Sequence, residues 1–265
     1  MQITMLGVGS SAGTPAVGCT CSTCISTNSR NKRTRCSSII TLDSGEVILI
    51  DTGPDLRIQA LREELTRVDA VLYTHSHADH LHGIDDLRAF CQLQRKQIPL
   101  YAKQDVVEHI TSKFGYTLRE PCDFWDLPVL SINAISSSFN LFGKLVTPIP
   151  VKHGRSDIFG YRIGNIAYLT DVSEIPEASF ELLQDLDILL LDCLRHQPHP
   201  THVNLEQSMQ YANRIKAKNT FMIHMTHELE FDALSQILVH HQTGSQQNAA
   251  IHVGYDGLRL DSPAA

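Results

Sequence analysis

Short apolar runs rich in Val, Ile and Leu recur along the chain, separated by segments whose apolar positions return at helical spacing. These are the patterns of buried strands and of helices with one apolar face. Strands are predicted at Gln2 to Leu6, Ser37 to Leu42, Val47 to Ile50, Ala70 to Tyr73 and Pro99 to Tyr101. The second and third should form a hairpin across the turn-forming triplet Asp43-Ser44-Gly45. Further strand-like runs are Val129 to Ile135, Leu141 to Pro150, Phe159 to Ile163, Ile166 to Leu169, Ile188 to Leu191 and Phe221 to Ile223, with a closing β segment at Ile251 to Leu260. Leu56, Ala60, Leu61 and Leu65 predict a helix from about Asp55 to Leu65, and further helices are predicted at Ile84 to Gln94, Gln104 to Ser112, Leu205 to Lys216 and Glu228 to Val239. The stretch from Cys19 to Arg35 is polar and irregular, and Gly7 to Pro15 reads as a tight glycine turn at the lip of a site. Strands and helices interleave, no linker divides the chain, and no internal repeat is visible. An α/β arrangement with sheets inside and helices outside, as one domain over residues 1–265, fits this order.

Composition narrows the function classes. A formal net charge of -7 argues against a polynucleotide-binding surface, because such surfaces rest on clustered Lys and Arg. The one basic cluster, Arg30, Lys32, Arg33 and Arg35, is too short for a long nucleic acid, although Arg30, Arg33 and Arg35 suit a terminal phosphate on a small substrate. The chain has 7 cysteines, an odd number, and Cys19, Cys21 and Cys24 stand close together. That spacing points to metal ligation in a reducing compartment, the cytoplasm, rather than to disulfides. The first residues lack a basic leader with an apolar core, and no run has the length a bilayer requires, so neither a signal peptide nor a membrane span is expected.

The densest chemistry is His75-Ser76-His77-Ala78-Asp79-His80, directly after the run Ala70 to Tyr73. Imidazole and carboxylate together suit Zn²⁺ or Mn²⁺, and two chelating pairs in one segment predict two neighbouring ions. Other ligand-type side chains also stand where strand-like runs end: Asp51, His153, Asp171 and His224. Side chains delivered by strand ends are what a rigid scaffold with variable loops produces.

This set resembles the metallo-β-lactamase superfamily of binuclear metallohydrolases, over most of the chain. The resemblance implies an αββα sandwich, two mixed sheets with helices outside. It implies His75, His77 and His153 on one ion, Asp79, His80 and His224 on the other, and Asp171 bridging both, with Asp51 supporting the site rather than ligating. Gly18-Cys19-Thr20-Cys21-Ser22-Thr23-Cys24, with His227, is similar to the separate structural zinc site of phosphoribosyl cyclic phosphodiesterases. Three thiolates and an imidazole make a closed tetrahedral Zn²⁺ site; Cys36 is a spare candidate. The same narrower family implies that His202, rather than its loop neighbours His196 and His199, donates a proton to the leaving oxygen.

The expected cofactors are therefore two divalent ions in the active site, Mn²⁺ or Zn²⁺, and one structural Zn²⁺. The expected activity is metal-dependent hydrolysis of a small phosphodiester, such as 5-phosphoribosyl 1,2-cyclic phosphate. Alternatives on the same metal core are an RNA 3′-processing endonuclease and a thioester or lactone hydrolase; a non-catalytic metal-binding protein is the reading from another class. The aromatic segment Gly115 to Leu127, with Tyr116, Phe124 and Trp125, suits buried packing or a homodimer interface.

Overall fold

A computed structural model describes residues 1–123, 126–243 and 249–262. Its strands form two seven-stranded mixed sheets. The first is built from β1 (Gln2–Gly7), β2 (Ser37–Thr41), β3 (Val47–Ile50), β4 (Ala70–Leu72), β5 (Ile98–Ala102) and β6 (Leu130–Ala134). The second is built from β7 (Phe139–Leu141), β8 (Lys144–His153), β9 (Ser156–Ile163), β10 (Ile166–Leu169), β11 (Ile188–Asp192), β12 (Asn219–Ile223) and β13 (Ile251–Val253). The chain then returns to the edge of the first sheet as β14 (Arg259–Asp261), antiparallel to β1. Both sheets combine antiparallel and parallel pairing: β1, β2 and β3 are antiparallel neighbours and β3 to β6 run parallel, while β7 to β10 are antiparallel neighbours and β10 to β13 run parallel.

Side chains on a strand alternate between faces, so an uninterrupted apolar run must be covered on both sides. Ile48 and Ile50 join the core between the sheets, whereas Val47 and Leu49 face the outer core. Ala70 and Leu72 divide from Val71 and Tyr73 in the same way. The outer core of the first sheet is completed by Leu56 of α2 (Leu56–Arg62), Phe90 of α4 (Leu87–Gln94) and Ile110 of α5 (Gln104–Phe114). Two single-turn helices, α1 (Ser22–Ile25) and α3 (Ala78–Leu81), sit in loops. Over the second sheet pack α6 (Leu205–Ile215) and α7 (Phe231–Thr243), through Ala212, Ile215, Leu234 and Leu238. The layer order is helix, sheet, sheet, helix, as the family resemblance implied.

Three local expectations need correction, and one element was not expected. The run Leu141 to Pro150 is broken by a two-residue turn, Phe142-Gly143, with φ of 50° and 76°. Both turn residues in the left-handed region give the twist that suits a tight hairpin, so β7 and β8 pair antiparallel. Ile251 to Leu260 is two strands in different sheets rather than one. A 3-10 helix at Glu177–Leu183 buries Phe180 and Leu183 and lacks a helical stripe long enough to be read. Finally, α7 begins at Phe231 rather than Glu228, because Asn31 Oδ1 accepts from the Phe231 amide at 2.9 Å and Glu230 caps the Ala233 amide at 2.8 Å.

Candidate metal centre

The ligand-type residues gather where the parallel strands of both sheets end. Asp51 follows β3, His75 follows β4 after Tyr73 and Thr74, Asp171 follows β10 after Thr170, and His224 follows β12. Asp51, Asp171 and His224 all have positive φ, 62°, 56° and 57°. This region is disfavoured for residues with a Cβ, and strained backbone of this kind persists where the surroundings hold it in place. The loop carrying His75 to His80 is itself clamped. A Cβ at Gly53 would lie 2.2 Å from the Asp79 carbonyl oxygen, and one at Gly83 would lie 2.1 Å from that of Gly53. Only glycine permits these approaches.

Two donor groups share one carboxylate. His75, His77, His153 and Asp171 bring one ligand atom each within 4.8 Å of one another, and so do Asp79, His80, Asp171 and His224. Asp171 Oδ2 faces the first group, 3.8 Å from His75 Nε2 and 3.9 Å from His153 Nε2. Its Oδ1 faces the second, 3.0 Å from His80 Nε2 and 3.3 Å from His224 Nε2. His77 Nδ1 lies 3.0 Å from His75 Nε2, and Asp79 Oδ2 lies 3.2 Å from His80 Nε2. Such separations are those of neighbouring ligands about 2.0–2.2 Å from a common ion.

The buried polar atoms fit the same conclusion. His80 Nε2 and both ring nitrogens of His224 are buried without a hydrogen-bond partner, a condition that is costly unless something else satisfies them. Burial opposes charge on His80, yet the Asp171 and Asp51 carboxylates prevail and raise its pKa well above the imidazole range. Burial likewise opposes ionisation of Asp171, but His224, His80 and His75 hold its pKa well below the carboxylate range. Protons therefore neutralise a buried carboxylate group where cations would do so.

Each ring is oriented from behind. Asp51 is fully buried and accepts from the Thr74 amide and hydroxyl, both at 2.8 Å, and from His80 Nδ1 at 2.8 Å. Because Thr74 donates its hydroxyl proton to Asp51, its oxygen is left to accept from His75 Nδ1 at 3.0 Å. His153 Nδ1 donates to the Thr201 carbonyl at 2.8 Å. In all three rings the Nδ1 proton is committed to a partner behind the ring, which leaves Nε2 as the atom facing the donor groups, the arrangement that fixes tautomer and basicity in metal sites. Asp51 itself stands outside both donor groups.

His202 stands at the edge of the first group. It stacks on His224 with ring centroids 4.9 Å apart, and its Nε2 lies 3.9 Å from Asp171 Oδ2. Its Nδ1 donates to Asp192 Oδ2 at 2.9 Å, and the Val172 amide donates to the same oxygen at 2.7 Å. The segment holding it is pinned on both sides: the Val203 amide bonds to the Val172 carbonyl at 2.6 Å, and the Leu194 amide to the Val203 carbonyl at 3.1 Å. Directly after it, Asn204 and Gln207 exchange 3.0 Å capping bonds that start α6. Asp192 is the residue that the sequence reading missed. Its signal was available: it closes the apolar strand Ile188–Asp192, as Asp51 follows Val47–Ile50.

Cys19, Cys21, Cys24 and His227 form a separate group with ligand atoms within 4.8 Å. His227 Nδ1 lies 3.4 Å from Cys19 Sγ and 3.2 Å from Cys21 Sγ, near the spacing of tetrahedral S and N ligands on Zn²⁺. His224 and His227 thus share one loop and face different donor sets. Cys36 is not the spare ligand: it is buried in the core between the sheets, where burial pushes its thiol pKa far up.

Each of the three arginines is held by partners other than the donor-group residues. Arg33 is buried, donating to the carbonyls of Thr226 at 3.0 Å and Leu229 at 2.5 Å and to Asn31 Oδ1 at 3.4 Å. Its guanidinium ties the cysteine loop to the loop after β12, which replaces the expectation of a phosphate contact. Arg35 pairs with Asp55 at 3.1 Å and bonds the Ser11 carbonyl at 3.0 Å. The Arg30 guanidinium lies over Phe231 and Tyr255, 4.9 and 4.8 Å from the ring centroids. In the aromatic segment, Tyr116 is exposed and donates to Asp85 at 2.7 Å; Phe124 and Trp125 lie outside the described residues.

Among the described residues no helix is long and apolar enough to cross a membrane. Residues 46–225 match the model of the β-lactamase superfamily domain. The octanoyltransferase of Porphyromonas gingivalis (strain ATCC BAA-308 / W83) is 37% identical over 263 residues, which is 97% of this chain and 51% of that protein. The chain thus spans about half the length of the curated relative it matches. Among solved structures, a diphosphatase from the PhnP family is 40% identical with a TM-score of 0.88, covering 98% of this chain and 97% of that one. Zn²⁺-bound PqqB from Methylobacterium extorquens is 19% identical, with a TM-score of 0.76 and 99% and 100% of the two chains covered. The short form of human tRNase Z is 16% identical, with a TM-score of 0.70 and 100% of each chain covered. The last two show likeness of fold alone.

Proposed function

The chain belongs to the β-lactamase superfamily and, within it, to the PhnP family, and on that premise we propose that residues 1–265 form one binuclear metal-dependent phosphodiesterase domain acting on a small cyclic phosphodiester. The observation that carries this reading is His202, a histidine backed by a carboxylate, set beside a two-lobed ligand group. His75, His77, His153 and Asp171 Oδ2 would hold one ion; Asp79, His80, His224 and Asp171 Oδ1 would hold the other. Mn²⁺ or Zn²⁺ in these positions would supply Lewis acidity and acidify water near neutral pH. Cys19, Cys21, Cys24 and His227 would hold a structural Zn²⁺ that staples the amino-terminal loop.

The protein's own contribution is orientation and proton transfer. Asp51, Thr74 and Thr201 keep three imidazoles aimed at the centre. Asp192 holds the Nδ1 proton of His202, which leaves Nε2 as the atom that transfers a proton. As water adds to phosphorus, losing one proton to solvent, and the P–O ester bond breaks, His202 Nε2–H gives its proton to the departing alkoxide and is later reprotonated from solvent. Ring opening of a 1,2-cyclic phosphate then yields a phosphomonoester and a free hydroxyl. The substrate proposed is of the 5-phosphoribosyl 1,2-cyclic phosphate type.

A second reading is supported by the diphosphatase in the PhnP family: cleavage of a P–O–P bond on the same centre. A phosphate leaving group is more acidic than an alkoxide and depends less on His202. The deciding experiment is steady-state hydrolysis by Mn²⁺-reconstituted protein of 5-phosphoribosyl 1,2-cyclic phosphate, 2′,3′-cyclic nucleotides, a dinucleoside diphosphate and an acyl thioester. Preference for the cyclic ribose phosphate is expected. Preference for the diphosphate would move the substrate to an anhydride, and preference for the thioester would overturn the phosphodiesterase reading.

A further inference from the structure

The loop at residues 195–200 carries a histidine to which the mechanism above gives no part. Arg195 stiffens this loop from within, donating to the carbonyls of Gln197 at 3.2 Å and Pro198 at 3.0 Å. His199 is half-buried, its ring centroid 5.3 Å from that of His202. Its Nδ1 lies 3.4 Å from the Thr201 amide nitrogen and 3.1 Å from the Thr201 hydroxyl oxygen. A backbone N–H can only donate, so Nδ1 is the acceptor and the ring proton resides on Nε2. Burial, with the neighbouring His202 and Arg195 charges, lowers its pKa, which favours the neutral ring. The same Thr201 whose amide fixes this tautomer receives His153 Nδ1 on its carbonyl. A ring whose donor nitrogen is Nε2 therefore lies beside the proton-transferring His202, tied to a ligand of the first donor group through one residue.

We propose that His199 is a substrate-binding residue whose Nε2–H donates a hydrogen bond to a nonbridging oxygen of the phosphoryl group bound against His202. This rests on the phosphodiesterase reading. A neutral donor suits the place, because it stabilises an oxyanion without placing another cation beside two metal ions.

Two conservative substitutions separate donation to substrate from upkeep of the loop. Asn in His199→Asn places an amide near the Nδ1 position, where it can accept from the Thr201 amide, but reaches no further. Gln in His199→Gln reaches the Nε2 position with an N–H and gives up the loop bond. Imidazole ¹⁵N NMR of the metal-free protein, with the His199 signals assigned by their loss in His199→Asn, should show a protonated Nε2 and an unprotonated Nδ1. Calorimetric titration of the Mn²⁺-loaded proteins with inorganic phosphate should show affinity about tenfold weaker in His199→Asn, with His199→Gln rescuing it to within about threefold. Steady-state kinetics should show the same change in KM for the cyclic phosphodiester. A protonated Nδ1, unchanged phosphate affinity in His199→Asn, or an equal loss in both variants would overturn the inference. A wild-type protein that neither binds phosphate nor cleaves phosphodiesters would overturn the underlying reading, and the inference with it.

Discussion

Asp192 Oδ2 lies 2.9 Å from His202 Nδ1, while Asp192 Oδ1 faces His224 Nδ1 at 3.7 Å without a hydrogen-bond partner. One buried carboxylate therefore stands behind both the proposed proton donor and a proposed metal ligand. On the proposed reading the two stacked rings, 4.9 Å apart, have opposite duties: His202 would give up a proton at Nε2, and His224 would offer a lone pair there. The carboxylate is fixed by the Val172 amide, next to Asp171, so Asp171 and His202 are tied to adjacent points of one backbone segment.

His202→Ala should keep both active-site ions, measured by elemental analysis, and lose about 10²-fold or more in turnover of an alkoxide-leaving diester. On a nitrophenolate ester the loss should be far smaller, since that group leaves without a proton. Asp192→Asn should follow the same pattern, because an amide no longer dictates which ring nitrogen holds the proton. Equal losses on both leaving groups would remove the proton-donor role.

Asp51→Asn should act through metal affinity rather than through proton transfer. An amide cannot accept all three hydrogen bonds that Thr74 and His80 donate. Affinity for the active-site ions, read by competition with a chromogenic chelator, should fall about 10–100-fold. An unchanged affinity together with lost turnover would instead place Asp51 in the chemistry.

Arg33→Ala should destabilise the protein by about 2–4 kcal/mol, because it leaves the Leu229 carbonyl without its side-chain donor and removes one of the two donors to the Thr226 carbonyl. The measurement is urea unfolding of the zinc-loaded protein, with KM determined alongside. A raised KM without loss of stability would restore Arg33 as a phosphate contact.

The zinc-free cysteine site should show a pH signature. The hydrogen bond from His227, followed by smaller backbone and thiol contacts, lowers the Cys21 pKa to about 6. Above that pH the sulfur is thiolate and reactive; below it the thiol form returns and reaction stops. Iodoacetamide labelling, quantified by peptide mass spectrometry, should fall at Cys21 near pH 6, whereas an ordinary exposed cysteine falls near pH 8.5. Added Zn²⁺ should protect Cys21 throughout, and a midpoint near 8.5 would contradict the contact with His227.

Much of this architecture is local information. Val47–Ile50 and residues 188–191 are apolar without alternation, which only a strand covered on both faces can afford, and the layered α/β arrangement follows from several such runs interleaved with helices. His75 to His80 declares metal chemistry because four ligand-type side chains within one short loop must meet. The cysteine cluster is legible for the same reason.

What the sequence could not determine depends on partners far away along the chain. Arg33 reads as one of several basic residues until the loop after β12 folds over it and takes its guanidinium. Asp192 reads as a strand end until residues 172 and 202 arrive to bond it. Ile251 to Leu260 reads as one β segment, although its halves close different sheets. Short-range patterns record which face of a strand or helix is buried, because burial repeats with the element's own period. They do not record which distant carbonyl, amide or carboxylate will satisfy a given polar group. That choice is made only when the ends of the parallel strands meet.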